Sequence, residues 1–73
     1  MILQKIIYRA HYNVRKPTYI ETRHIPFEEF VENVTAEACI IDSTDGFEVI
    51  SISYSDHNTA VITYRQLEES ENE

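Results

Sequence analysis

Residues 26–41 read Pro26-Phe27-Glu28-Glu29-Phe30-Val31-Glu32-Asn33-Val34-Thr35-Ala36-Glu37-Ala38-Cys39-Ile40-Ile41, and this stretch decides the fold. Phe27, Phe30, Val31, Val34, Ala38 and Ile41 recur at spacings of three and four residues, the repeat of a helix with one apolar stripe on a core. Glu28, Glu29, Glu32, Asn33 and Glu37 take the opposite face. Pro26 suits the first position of that helix, and Glu28 and Glu29 fall in its first turn, where the helix dipole favours carboxylates. The pattern predicts a helix from Pro26, firm as far as Ala38. Two phenylalanines at this spacing read as core, not as a cofactor site.

Either side of the helix the period changes from near four to two. Ile2, Gln4, Ile6, Tyr8, Ala10, Tyr12 and Val14 alternate with Leu3, Lys5, Ile7, Arg9, His11 and Asn13, the mark of one strand with a buried and an open face. The even positions are expected in the core, and Lys5, Arg9 and His11, with Leu3 and Ile7 beside them, on the open face. Asn13 to Pro17 reads as a turn, because Pro17 has no ladder donor and Arg15 and Lys16 prefer water. A second strand is expected over 18–25, in a hairpin with the first. After the helix, Asp42 to Gly46 reads as a loop in which the single glycine takes positive φ. Strands are expected over 47–54 and 59–66, joined by a turn at Asp56-His57-Asn58. The expected fold is α+β: a small antiparallel sheet in ββαββ order with one helix across one face and the other face open. It forms one domain over 1–66, followed by an acidic flexible tail over 67–73.

Composition bounds the function. A chain of 73 residues, 42% of them hydrophobic, can bury one thin core. No apolar run approaches the roughly 18 residues of a membrane span, and the opening Met1–Ile7 is too interrupted by polar residues for a secretory signal, so a cytoplasmic protein is expected. Cys39 is the only cysteine, which rules out an intrachain disulfide and fits a reducing compartment. It is expected as a small hydrophobe packed behind the helix.

The single glycine cannot build a phosphate-cradling loop. A calcium loop with Gly46 in sixth place would put Ile41 and Ile52 where carboxylates are required. His11, His24 and His57 have no zinc-ligand spacing with each other or with Cys39. The carboxylates lie mostly on the wet helix face and the tail, where no pocket would raise a pKa. No catalytic residue, metal or cofactor is therefore expected, and the chain is read as a binding protein and not as an enzyme.

The net charge of −7 is unevenly laid out. Residues 1–25 hold five cations against Glu21 alone, a net of +4, and residues 26–73 hold Arg65 against twelve carboxylates, a net of −11. Such asymmetry steers partner choice. Tyr8, Tyr12 and Tyr19 beside basic residues could stack on unpaired bases, but the acidic remainder repels a phosphate backbone, and direct nucleic-acid binding is not expected. Two binding modes follow, both with protein partners. In one, a basic hairpin docks on an acidic protein surface through Lys5, Ile7, Arg9, Arg15 and Lys16. In the other, rows of carboxylates on helix and tail mimic DNA and block a DNA-binding protein. A plainer third possibility is a small subunit that dimerises through its open sheet face.

The passage from Pro26-Phe27-Glu28-Glu29-Phe30 to Gly46-Phe47-Glu48-Val49 resembles the helix-to-strand passage of small acidic bacteriophage proteins that bind the host RNA polymerase and regulate transcription. In length and acidity the chain is similar to the Xanthomonas-phage type of that group, and it departs in carrying a further strand after Asp56. The resemblance implies a non-enzymatic regulator, a bacterial RNA polymerase as partner and the host bacterial cytoplasm as its location.

Overall fold

A computed structural model describes residues 1–67 in the order β1 (Ile2–Tyr8), β2 (His11–Arg15), β3 (Ile20–His24), α1 (Phe27–Ser43), β4 (Phe47–Asp56) and β5 (Thr59–Gln66). The fold is α+β, with the helix packed on a small antiparallel sheet. Of the acidic tail expected over 67–73, Leu67 donates its N–H to the Gly46 carbonyl at 2.8 Å, and 68–73 lie outside the described residues.

α1 begins after Pro26, whose carbonyl accepts the Phe30 N–H at 3.0 Å, so Pro26 caps the helix and is not its first residue. The helix also runs past Ala38, and the expected loop at Asp42 starts only at Thr44. Two hydroxyls close its end: Ser43 Oγ donates to the Cys39 carbonyl at 2.6 Å and Thr44 Oγ1 to the Ile40 carbonyl at 2.7 Å. The Thr44 bond satisfies one of the four carbonyls that a helix C-terminus leaves open. Asp42 turns back to accept the Val49 N–H at 3.1 Å.

Gly46 then reverses the chain at φ 91°, the only positive φ among the described residues. A Cβ added there would meet nothing within 4 Å, so the demand is on the backbone alone. Gly46→Ala is expected to cost about 1–2 kcal/mol, the strain of a left-handed L-residue. An unchanged urea midpoint for this variant would refute that.

Phe30, Val34 and Ala38 lie one turn apart along α1 and meet Ala60 and Ile62 of β5. These five form the whole buried core among the described residues, flanked by half-buried Ile7, Ile25, Ile41, Val49 and Tyr64. Phe27, expected with them, is 40% exposed and leaves the core for the N-terminal end of the helix. Cys39, expected behind the helix, is exposed on it.

Five strands in two sheets replace the expected four in one. β1, β5 and β4 form a three-stranded antiparallel sheet with β5 in the middle, whereas β2 and β3 pair only with each other. The single strand expected over 2–14 is cut at Arg9 and Ala10. β5 ends opposite Tyr8, with Tyr8 facing Thr59, so beyond that point the first segment has no neighbour in the main sheet. The Arg9 N–H closes this end on the Asn58 carbonyl at 2.8 Å.

The faces of β1 are also the reverse of those expected. Ile7 stands opposite Ala60, and Lys5 opposite Ile62, which puts the odd residues on the helix side. Ile2, Ile6 and Tyr8, expected inside, are exposed. Both faces of β1 carry apolar residues, so alternation alone does not say which is buried; the register against β5 does. At the far edge, β4 carries irregularities between Val49 and Ser51 and between Tyr54 and Asp56. Bulges of this kind blunt an edge strand against further pairing.

Candidate functional site

The separate hairpin of β2 and β3 stands out from the body as an arm. Its strands pack extensively on neither α1 nor the three-stranded sheet. Its base is fixed by the Ile25 N–H on the Ala10 carbonyl at 3.0 Å, and its tip by the Lys16 N–H on the Tyr19 carbonyl at 2.9 Å. Pro17 and Thr18 turn the tip, so β2 extends through Arg15 where a turn from Asn13 is expected, and β3 starts only at Ile20.

Directly opposed residues of an antiparallel pair share a face. One face of the arm therefore carries His11 with His24, Asn13 with Thr22, and Arg15 with Ile20. The Thr22 hydroxyl donates to Asn13 Oδ1 at 3.1 Å on this face, and the two imidazoles lie 5.9 Å apart. The other face carries Tyr12 with Arg23 and Val14 with Glu21. There Arg23 forks onto Glu21, with bonds of 3.0 and 3.2 Å, and Lys16 approaches the same carboxylate at 3.8 Å. The hydrogen bond from Arg23 holds the Glu21 carboxyl below its ordinary value of 4.5. Tyr12, Tyr19 and Ile20 are each half or more exposed.

Arg9 is the joint between arm and body. Its Nε donates to the Ile25 carbonyl at 2.7 Å, Nη1 reaches Asn58 Oδ1 at 3.4 Å, and the guanidinium lies 5.7 Å from the centre of the Phe27 ring. Phe27 in turn meets Tyr54 and His57, each at 6.0 Å between ring centres. Arg9→Ala is expected to cost about 1.5–3 kcal/mol, as for charged hydrogen bonds whose acceptors are left partly buried. Amide exchange should quicken in β2 and β3 more than in β1 and β5. Equal acceleration everywhere would show that Arg9 does not anchor the arm.

The five residues expected to form one docking surface are thus divided. Lys5 sits on the helix side and donates to Glu37 Oε1 at 2.8 Å, a bond that raises the lysine above its ordinary 10.5. Ile7 packs against the core, and Arg9 serves the joint. Only Arg15 and Lys16 come together, at the arm's tip. The expected open basic sheet face does not exist: the face away from the helix presents Ile2, Gln4, Ile6 and Tyr8 from β1, beside Val61 and Thr63 of β5. Arg65 pairs there with Glu48.

Tyr12, expected in the core with the other even positions of the first segment, is instead exposed on the arm. The missed signal lies between His11 and His24, where Tyr12, Val14, Tyr19 and Ile20 are the apolar residues and do not share one face. With Ile20 on one face and Tyr12 and Val14 on the other, the segment has no single apolar face to lay on a core.

Elsewhere on the surface, a shallow depression of about 360 Å³ is lined by Thr35, Ala38, Cys39, Asp42 and Val49. Among the described residues no three His, Cys, Asp or Glu side chains gather to hold a metal ion. No described helix is long and apolar enough to cross a membrane.

The site and fold define a class by shape: a small α+β body bearing a basic, tyrosine-carrying β-hairpin arm. Compared with protein-family models, curated proteins and solved structures, the chain matches none of them.

Proposed function

We propose that this protein is a non-enzymatic regulator that binds another protein through the β2–β3 arm. The observation that carries this reading is the arm's separation from the body. A segment that adds nothing to the core, exposes Tyr12, Tyr19 and Ile20, and ends in Arg15 and Lys16 has the composition of a recognition element. Aromatic and arginine side chains dominate binding energy at protein interfaces. Residues 11–24 carry three cations against Glu21, a net of +2, so the surface they fit is acidic.

The resemblance of residues 26–49 to phage inhibitors of host transcription makes bacterial RNA polymerase the partner to test first. Binding there would alter how polymerase engages its initiation factor or promoter. Affinity capture from bacterial lysate, repeated with purified polymerase, is expected to retain polymerase with the native chain and to lose it with Arg15→Glu/Lys16→Glu. Capture without polymerase subunits would remove that partner, and capture unaffected by the double reversal would remove the arm.

A DNA-mimic reading takes support from Glu28, Glu29 and Glu32, which are exposed on α1 with no ion-pair partner among the described residues. Glu37, expected in the same row, is engaged by Lys5. Under this reading, neutralising the three glutamates to glutamine abolishes capture and reversal of the arm does not.

A further inference from the structure

We propose that the arm also binds a second copy of this chain, in a twofold dimer whose arms lie antiparallel, each tip against the start of the other copy's α1. The inference uses the same arm as the proposed function, but it concerns what covers that arm before any partner arrives.

The first reason is stability. A two-stranded hairpin alone in water is marginal at best, and it gains independent stability from a third strand or a packed face. β2 and β3 are five residues each, both have an unpaired outer edge, and neither packs extensively on the body. The arm is therefore an element that lacks a neighbour.

The second reason is charge. The arm, residues 11–24, carries a net of +2, and among the described residues Arg15 has no ion-pair partner and Lys16 only a loose one. Glu28, Glu29 and Glu32 put three carboxylates on the first half of α1, with no ion-pair partner among the described residues. Both patches belong to one chain, so a twofold arrangement satisfies each of them twice.

The third reason is where these patches lie. Only Ile25 and Pro26 separate β3 from α1, so the carboxylates sit by the base of the arm while Arg15 and Lys16 occupy its tip. Two arms laid antiparallel bring each tip to the other's base, about 17 Å away along a five-residue strand. Tyr12, on the face of the arm that it shares with Val14, is then available for apolar contact along the pair. In such a dimer the tips are occupied, and an acidic partner must displace the second copy to reach them. Dilution would thereby expose the binding element.

The test is self-association of the full chain by sedimentation velocity over a concentration series. The native protein is expected to form a species of twice 8.6 kDa, weakening as salt screens the charges. Arg15→Glu/Lys16→Glu and, separately, Glu28→Lys/Glu29→Lys/Glu32→Lys should each weaken association about a hundredfold, since like charges then face each other. An equimolar mixture of the two variants should restore it, because every arm then meets a helix of opposite sign.

A native chain that stays monomeric up to about millimolar concentration, which leaves less than about 4 kcal/mol for association, overturns the proposal. So does a dimer that both variants retain, which would point to the exposed Ile2, Ile6 and Tyr8 face. A mixture that fails to reassociate, or association seen only with added nucleic acid, also overturns it. A monomer that still captures its partner through Arg15 and Lys16 sinks the dimer alone. A charge-dependent dimer that captures nothing sinks the proposed function alone.

Discussion

Phe30→Ala is expected to lower stability by about 3–5 kcal/mol, the usual range for emptying a buried phenylalanine site. A domain of 73 residues has only about 4–11 kcal/mol in total, so this variant should be largely unfolded at moderate temperature. The cost is high because the core is small. Phe30 is fully buried, and its ring meets Phe27 and Tyr54 edge-on at 5.9 Å each, above a core completed by only Val34, Ala38, Ala60 and Ile62. No second layer stands by to collapse into the hole. Phe30→Leu keeps most of the volume and should cost less than about 1.5 kcal/mol. Urea unfolding followed by far-ultraviolet dichroism reads both variants. A loss below about 1 kcal/mol for Phe30→Ala, far under the expected range, would mean that the helix is not seated on β5 through this ring.

Removing the arm should have the opposite profile: a complete loss of partner capture with the body left folded. The Ala10 carbonyl and the Ile25 N–H are already joined at 3.0 Å, so the chain ends at the arm's base stand a hydrogen bond apart. Replacing residues 11–24 by Asn-Gly, the pair that favours a tight hairpin turn, closes the gap without touching Phe30, Val34, Ala38, Ala60 or Ile62. The melting temperature is expected to stay within about 5 °C, a shift equivalent to roughly 1 kcal/mol for a domain of this size. Unimpaired capture by the armless chain would end the case for the arm as the recognition element. Cooperative unfolding of the body on its removal would show instead that the arm is structural.

Much of the body was legible in the residues. The spacing of Phe30, Val34 and Ala38 located the core face of α1, and the strand expected over 59–66 is β5. The lone glycine carried the one positive φ among the described residues. These features are local: a helical stripe or an alternating strand advertises its buried face through side-chain period alone. The candidate site was legible only at Arg15 and Lys16, where charges flank a proline turn. Lys5, Ile7 and Arg9 share the first segment's alternation but have tertiary duties, with Glu37, the core and Ile25.

What the amino-acid order determined by itself is the α+β class, the helix and its buried stripe, the strands after it and the lopsided charge. What only the tertiary structure decided is the pairing. The last strand inserts between β1 and β4, ends opposite Tyr8, and leaves residues 11–24 without a neighbour in the main sheet. That separation turns the expected hairpin of the sheet into a projecting arm, and the register against β5 turns β1 over. Partner choice among strands is set by long-range register and by where a helix lies, and neither leaves a trace in the period of any one segment.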